Sequence, residues 1–124
     1  MEKYSVTVAG REIPLRYTLR ELSAMEEAIG TMDNFRDLIL QGQHRLRNMA
    51  AAIRIMGNGA LVKAGKNAVL TDEWLLDHLD PNKIKTYQIA VLGAFTDGFQ
   101  MEHQQEVDRD LVLEELERKK EEGN

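Results

Sequence analysis

The residues best able to carry chemistry are few and scattered. His44, His78 and His103 are the three histidines, and no two have the spacing that puts a pair of imidazoles on one helix face, as a zinc site built on a His-Glu-x-x-His run needs. They read as surface or interface residues. Asp72, Glu73, Asp77 and Asp80 form a carboxylate-rich patch, but without the glycine and ordered oxygen ligands of a calcium loop; helix capping accounts for Asp72, Glu73 and Asp80. The stretch from Gly59 to Asn67 has the glycines and lysine of a phosphate-binding loop. Its glycine spacing is one residue too long, however, and Asn67 stands where a hydroxyl would reach magnesium. Ser5 and Ser23, the two serines, lack the Gly-x-Ser-x-Gly surroundings of a nucleophile elbow. No catalytic residue, cofactor or metal is therefore expected, and an enzyme is not the leading reading.

A basic group remains. Arg45, Arg47, Arg54, Lys63 and Lys66 could contact phosphates, which makes a small nucleic-acid-binding regulator using the 45–66 region the alternative function. Against it stand the absence of interleaved aromatic residues and a sequence pI near 5.2. The net charge of −5 is uneven: residues 1–70 hold 10 Lys/Arg against 7 Asp/Glu, whereas residues 71–124 hold 6 against 14. Such polarity can orient self-association or recruit a basic partner, and otherwise marks a solvated acidic tail.

A chain of 124 residues with 43% hydrophobic and 30% charged residues, and only 2 prolines, suits one domain around one core. With no cysteine, neither disulfides nor thiolate metal sites contribute. Met1 to Tyr4 is not the apolar stretch of a signal peptide and no later run approaches bilayer length, so the cytoplasm is the expected location, with no membrane partner.

These residues must be positioned by local elements, and the N-terminal ones are well marked. Tyr4, Val6 and Val8, then Ile13, Leu15 and Tyr17, alternate with polar residues at the period of half-buried strands. The pattern predicts a hairpin over 4–17 in which Val8 faces Ile13, Val6 faces Leu15 and Tyr4 faces Tyr17. A four-residue loop from Ala9 to Glu12, or a bulge, is expected, on the reading that a two-residue turn would place Pro14 where an N–H is needed. Thr18-Leu19-Arg20-Glu21 matches a capping box, Tyr17 and Leu22 a hydrophobic staple, and Gly30 a helix stop.

The helical body is expected over 18–102. A short helix is predicted from Asn34 to Gln41, capped by Asp33. A third helix carries Leu46, Met49, Ala50, Ile53 and Met56 inward and ends at Gly57, and the stretch from Ala60 to Leu70 reads as either a loop or a poor helix and is expected to be mobile. Thr71-Asp72-Glu73 opens a short helix, and Asp80-Pro81 the one expected to be longest, with Ile84, Tyr87, Val91, Leu92, Phe95 and Phe99 on its apolar face. Gly93 and Gly98 on that helix would admit close packing. A charged helix is expected over 107–122, with Val112, Leu113 and Leu116 on one side and Val107 and Leu111 almost opposite; these five are the candidate partner-binding residues. The fold class is thus α+β, mainly α: an N-terminal β-hairpin followed by about five or six helices in one domain.

One resemblance adds to this reading. The run from Val6 to Leu22, followed by Met25-Glu26-Glu27, Gly30 and Phe35-Arg36-Asp37-Leu38, resembles the opening of the tail assembly chaperones of long-tailed bacteriophages and prophages. In that family a short strand, a Gly-Lys/Arg turn, a second strand and a helix with a Leu-x-x-x-Glu rhythm begin the chain, and Leu22 and Glu26 keep that rhythm. The resemblance implies a non-enzymatic chaperone that coats the tape measure protein, keeps it soluble and helps recruit tail tube protein. It further implies homo-oligomers in the host cytoplasm, absence from the mature virion and, in many members, a longer frameshifted form. Six methionines, among them Met25, Met49, Met56 and Met101, could lend adaptability to such binding, although their helical spacing favours core packing.

Overall fold

The computed structural model describes residues 3–98. Strands β1 (Tyr4–Val8) and β2 (Arg11–Leu15) form an antiparallel hairpin, followed by helices α1 (Leu19–Ala28), α2 (Phe35–Leu40), α3 (Arg45–Lys63), α4 (Asp72–His78) and α5, which occupies 84–98. Short 3₁₀ turns, Met32–Asn34 and Pro81–Lys83, lead into α2 and α5. This is the expected mainly helical α+β domain with an N-terminal hairpin. The segment expected to form the helix over 107–122 lies outside the described residues.

The hairpin register differs from expectation by two residues. Tyr4 pairs with Leu15, Ser5 with Pro14, Val6 with Ile13 and Val8 with Arg11, around a two-residue turn of Ala9 and Gly10. Both turn residues have positive φ, 51° and 76°, the twist that suits a two-residue hairpin. Pro14 is tolerated because hydrogen-bonded and non-hydrogen-bonded pairs alternate along an antiparallel ladder. With Val8 and Arg11 closing the turn, Pro14 falls in a non-bonded pair and its missing N–H faces away from the partner strand. A shift of two preserves sidedness, so Val6, Val8, Ile13 and Leu15 are all buried on one face.

That face rests on α3, where the Arg16 N–H donates to the Met56 carbonyl at 3.0 Å. The α1 start is as the capping box predicts: Glu21 Oε1 accepts from the Thr18 N–H at 2.9 Å and from its hydroxyl at 2.7 Å. The chain leaves α1 through Gly30 at φ +148°. Helix α2 begins one residue later than expected, with Asn34 rather than Asp33 as its cap residue, because the 3₁₀ turn occupies the approach.

Helix α3 corrects the expectation of a stop at Gly57. It runs on through Gly57-Asn58-Gly59 to Lys63 and ends where Gly65, at φ +78°, lets the Gly65 and Lys66 N–H groups reach the Val62 and Leu61 carbonyls. The glycines serve close approach instead of breaking the helix. A Cβ on Gly57 would lie 2.6 Å from Leu70 Cδ1 and 2.7 Å from Ile13 Cγ2, and one on Gly59 would meet the Glu21 carboxylate at 2.8 Å. With Met49 to Ile53, Ile55, Met56 and Ala60 also buried, α3 is enclosed on most sides and touches β2, α1, α2 and α4. The stretch expected to be mobile is helical up to Lys63, and its far end, Leu70, is buried and fastened to Asn58.

Helix α5 closes the core. Tyr87, Val91 and Ala94 are buried, Ile84, Leu92 and Phe95 half-buried, and Phe99 lies outside the described residues. Phe95 packs on Phe35 with ring centroids 4.5 Å apart and meets Tyr17 edge-on at 5.6 Å; such pairs add about 0.5–1.5 kcal/mol each beyond burial. Gly93 lies against the Tyr4 ring and Gly98 against the Tyr17 ring, as close packing at these glycines requires. Beside Tyr4, Lys3 Nζ bonds Asp97 at 3.0 Å. Hydrogen bonds from Lys3 and then Tyr4 hold the Asp97 carboxyl below its ordinary range, while the same carboxylate raises both Lys3 and Tyr4.

Candidate partner-binding surface

The candidate surface is built where α3, α4 and the start of α5 converge. Thr71 caps α4 by accepting from the Trp74 N–H at 3.1 Å, and Arg54 Nε on α3 bonds Asp72 Oδ1 at 2.7 Å, which fixes the first turn of α4 against α3. Leu75 then points into the core, fully buried, and its neighbour Leu76 points out. At the end of α4 the Asp80 N–H donates to the Tyr87 hydroxyl at 2.9 Å, and Asp80 Oδ1 accepts from the Asn82 N–H at 2.9 Å. Asn48 Nδ2 and Gln88 Nε2 reach the Leu38 and Ile39 carbonyls at 2.9 and 3.1 Å, tying α3 and α5 to the end of α2.

On this frame Leu46, Met49, Leu76, Leu79, Pro81 and Ile84 line an apolar cavity of about 130 Å³ that opens to solvent. Leu46 is 37% exposed and Leu76 41%, so the cavity carries two large apolar residues at its rim. Groups of this kind recognise the apolar face of a helix, which presents anchors at i, i+3, i+4 and i+7. The sequence pattern assigned Leu46 and Met49 to the buried stripe of α3; Met49 is buried, but Leu46 sits at the end of the core and remains accessible. Leu76 carries no local signal, because only the docking of α4 through Leu75 decides which way it faces.

The five residues singled out for partner binding, Val107, Leu111, Val112, Leu113 and Leu116, lie outside the described residues. Met25, Met49 and Met56 are buried, so core packing is their use; Met101 is outside the described residues.

The basic residues do not gather into one patch. Arg45 and Lys63 sit at opposite ends of α3, about 27 Å apart along its axis, and helical spacing places Arg47 and Arg54 on the other side of it. A different arginine group appears instead. Arg16, Arg20 and Arg54 line a cavity of about 250 Å³ between α1 and α3, together with Glu21, Asn58 and Gly59. Arg16 lies two residues before the capping box and Arg20 within it, but nothing local brings Arg54 to them.

His44 and His78 are exposed and well separated in the chain; His78 stacks on Trp74 at 4.5 Å with its Nδ1 2.8 Å from the Trp74 carbonyl. His103 is outside the described residues. Among the described residues no group of three or more His, Cys, Asp or Glu is placed to hold a metal ion, and no helix is long and apolar enough to cross a membrane. The phosphate-loop-like stretch starts inside α3, since Gly59 is helical, so its backbone N–H groups do not form a cradle.

No family model matches the sequence, and comparison with curated proteins and with solved structures returned no match.

Proposed function

We propose that the protein is a non-enzymatic tail assembly chaperone that binds helical segments of a tape measure protein in the host cytoplasm and keeps them soluble. The observation that carries the reading is the apolar cavity between α3, α4 and α5, with Leu46 and Leu76 at its rim on a frame fixed by the Arg54–Asp72 pair. An apolar cavity with accessible leucines fits an amphipathic helix, the form in which a long tape measure chain would present its apolar surface. The resemblance of residues 6–38 to such chaperones names the partner. Homo-oligomers coating that partner and a role in recruiting tail tube protein belong to the same reading. The alternative of a nucleic-acid regulator loses support, because the 45–66 basic residues are divided between two sides of α3 and Arg54 is engaged by Asp72.

The test is co-expression with the long helix-rich protein expected as its cognate tape measure. A soluble complex that co-elutes with this chain is expected. Leu46→Glu/Leu76→Glu should abolish the complex while thermal stability stays within about 1 kcal/mol, since both side chains are partly exposed. An insoluble partner beside abundant, folded chaperone would sink the proposal; a complex that survives the double substitution would remove the cavity from it.

A further inference from the structure

A two-stranded sheet has two outer edges, and this hairpin protects only one of them. Along an antiparallel ladder the residues of non-bonded pairs turn their N–H and C=O groups outward. In the register that closes at Val8 and Arg11, these are Ser5 and Thr7 on β1, and Glu12 and Pro14 on β2. The β2 edge is blunted by Pro14, which has no N–H, and continues into Arg16, whose N–H donates to the Met56 carbonyl of α3 at 3.0 Å. Helix α3 packs on that strand. The β1 edge has no such protection. No proline, bulge or charged side chain stands between Tyr4 and Val8, and the outward backbone groups of Ser5 and Thr7 have no hydrogen-bond partner among the described residues. Thr7 is exposed and Ser5 half-buried.

This edge is also complementary to itself. A two-fold axis through Val6 sets β1 antiparallel to β1 of a second copy, with Ser5 opposite Thr7 of that copy and Val6 opposite its Val6. In this register Ser5 and Thr7 fall in bonded pairs, so each of their outward N–H groups meets a carbonyl. The side chains match as well. On the buried face Tyr4 lies opposite Val8 and Val6 opposite Val6, apolar against apolar, and on the solvent face hydroxyl meets hydroxyl. The Ser5 hydroxyl donates to Glu12 Oε1 at 3.0 Å, which leaves its oxygen free to accept from Thr7 of the second copy. The strand itself is uncharged, so no like charges are brought opposite one another across the new ladder.

We propose that β1 is a dimerisation edge, through which two copies of the chain pair along Ser5, Val6 and Thr7 into one continuous antiparallel sheet. A second copy is favoured over an extended segment of another protein because the strand matches itself in backbone groups, in side-chain polarity and in charge. The pairing also widens a hairpin that would be marginal alone. So short an edge buries less than the about 1,600 Å² of a standard interface, and the dimer is accordingly weak, in the micromolar to millimolar range. The proposal is independent of the tape measure reading and concerns this chain alone, although it would give the homo-oligomer of that reading a contact.

The test uses the full-length chain without any partner, from about 1 μM to 1 mM. Sedimentation velocity should show a monomer–dimer equilibrium over this range. In hydrogen exchange the Ser5 and Thr7 amides should slow by about tenfold at the high end, while the amides of α3 stay unchanged. Thr7→Pro removes an outward donor and, like Pro14, no bond of the hairpin itself; it should raise the dissociation constant by about tenfold or more. Should circular dichroism show that Thr7→Pro does not fold, Thr7→Lys keeps the N–H and places a charge on the edge, with a similar weakening expected. A chain that stays monomeric throughout would overturn the proposal and leave the edge to an extended segment of another protein. So would a dimer that forms equally well with the folded variants, because its contact would then lie on another face.

Discussion

Asn58 grips the backbone of Leu70 from both sides: its Nδ2 donates to the Leu70 carbonyl and its Oδ1 accepts from the Leu70 N–H, each at 3.0 Å. This pair holds the segment after α3 where Leu70 can bury itself against Gly57. Removing the amide with Asn58→Ala leaves two part-buried backbone groups to find water, at about 1–3 kcal/mol. The expected outcome is a melting temperature lower by roughly 5–15 °C for a domain of this size, with faster hydrogen exchange at the Leu70 amide. An unchanged exchange rate at Leu70 would show that the grip is not what fastens this segment.

Gly57→Ala sets helix propensity against packing. Alanine favours a helix interior by about 1 kcal/mol over glycine. Here, however, the new methyl would press on Leu70 Cδ1 and on Ile13 Cγ2, the latter held near its backbone on β2. Overpacking of about 1–3 kcal/mol should prevail, so denaturant titration should show net destabilisation. A stabilised variant would mean that Leu70 and Ile13 yield freely.

The hairpin turn offers an improvement. Ala9 holds φ 51°, where an L-residue with a Cβ is strained by about 1–2 kcal/mol, and Asn tolerates this region better. Ala9→Asn, giving Asn-Gly at the turn, should raise stability by about 0.5–1 kcal/mol with no effect on partner binding. Thermal melting of the two proteins side by side decides the point.

The Lys3, Tyr4 and Asp97 cluster predicts a shallow pH dependence. Asp97 is lowered from its ordinary 3.8 by the hydrogen bond from Lys3, so its contribution is present above that value and fades as pH falls through the lowered one. Lys3 is raised from 10.5 and Tyr4 from 10.0, each by its hydrogen bond with Asp97; their contributions are present below those values and fade as pH rises through the raised ones. The stability gap between the parent and Asp97→Asn should therefore be widest from about pH 5 to 9 and close at both extremes. The gap stays small, because the groups are solvent-exposed and screened. A gap independent of pH would remove the ion pair from the account.

What was legible in the sequence was what local physics decides. The Thr18–Glu21 capping box needs only four residues, and the buried face of the hairpin needs only a period of two. The register escaped because it rests on the parity of Pro14 in the ladder, which depends in turn on whether Ala9 accepts a positive φ. Gly57 and Gly59 read as a break because propensity is local, whereas their use is to admit Ile13, Leu70 and Glu21 from other elements. The outward turn of Leu76 and the meeting of Arg54 with Arg16 and Arg20 are tertiary in the same sense, and no window of sequence contains them.

The two ring sockets at Gly93 and Gly98 also set an order in time. The tyrosines that fill them, Tyr4 and Tyr17, are made before the described helices, yet their sockets lie on the last of those helices. At 5–20 residues per second the ribosome needs about 4–16 s to add the roughly 80 residues between Tyr17 and Gly98. A lone two-stranded hairpin is marginal in water, so during that interval the hairpin should open and re-form repeatedly, first steadied when α3 emerges beneath it and locked only when α5 arrives. Folding of the described residues should accordingly finish at the hairpin, the earliest of their elements to be made.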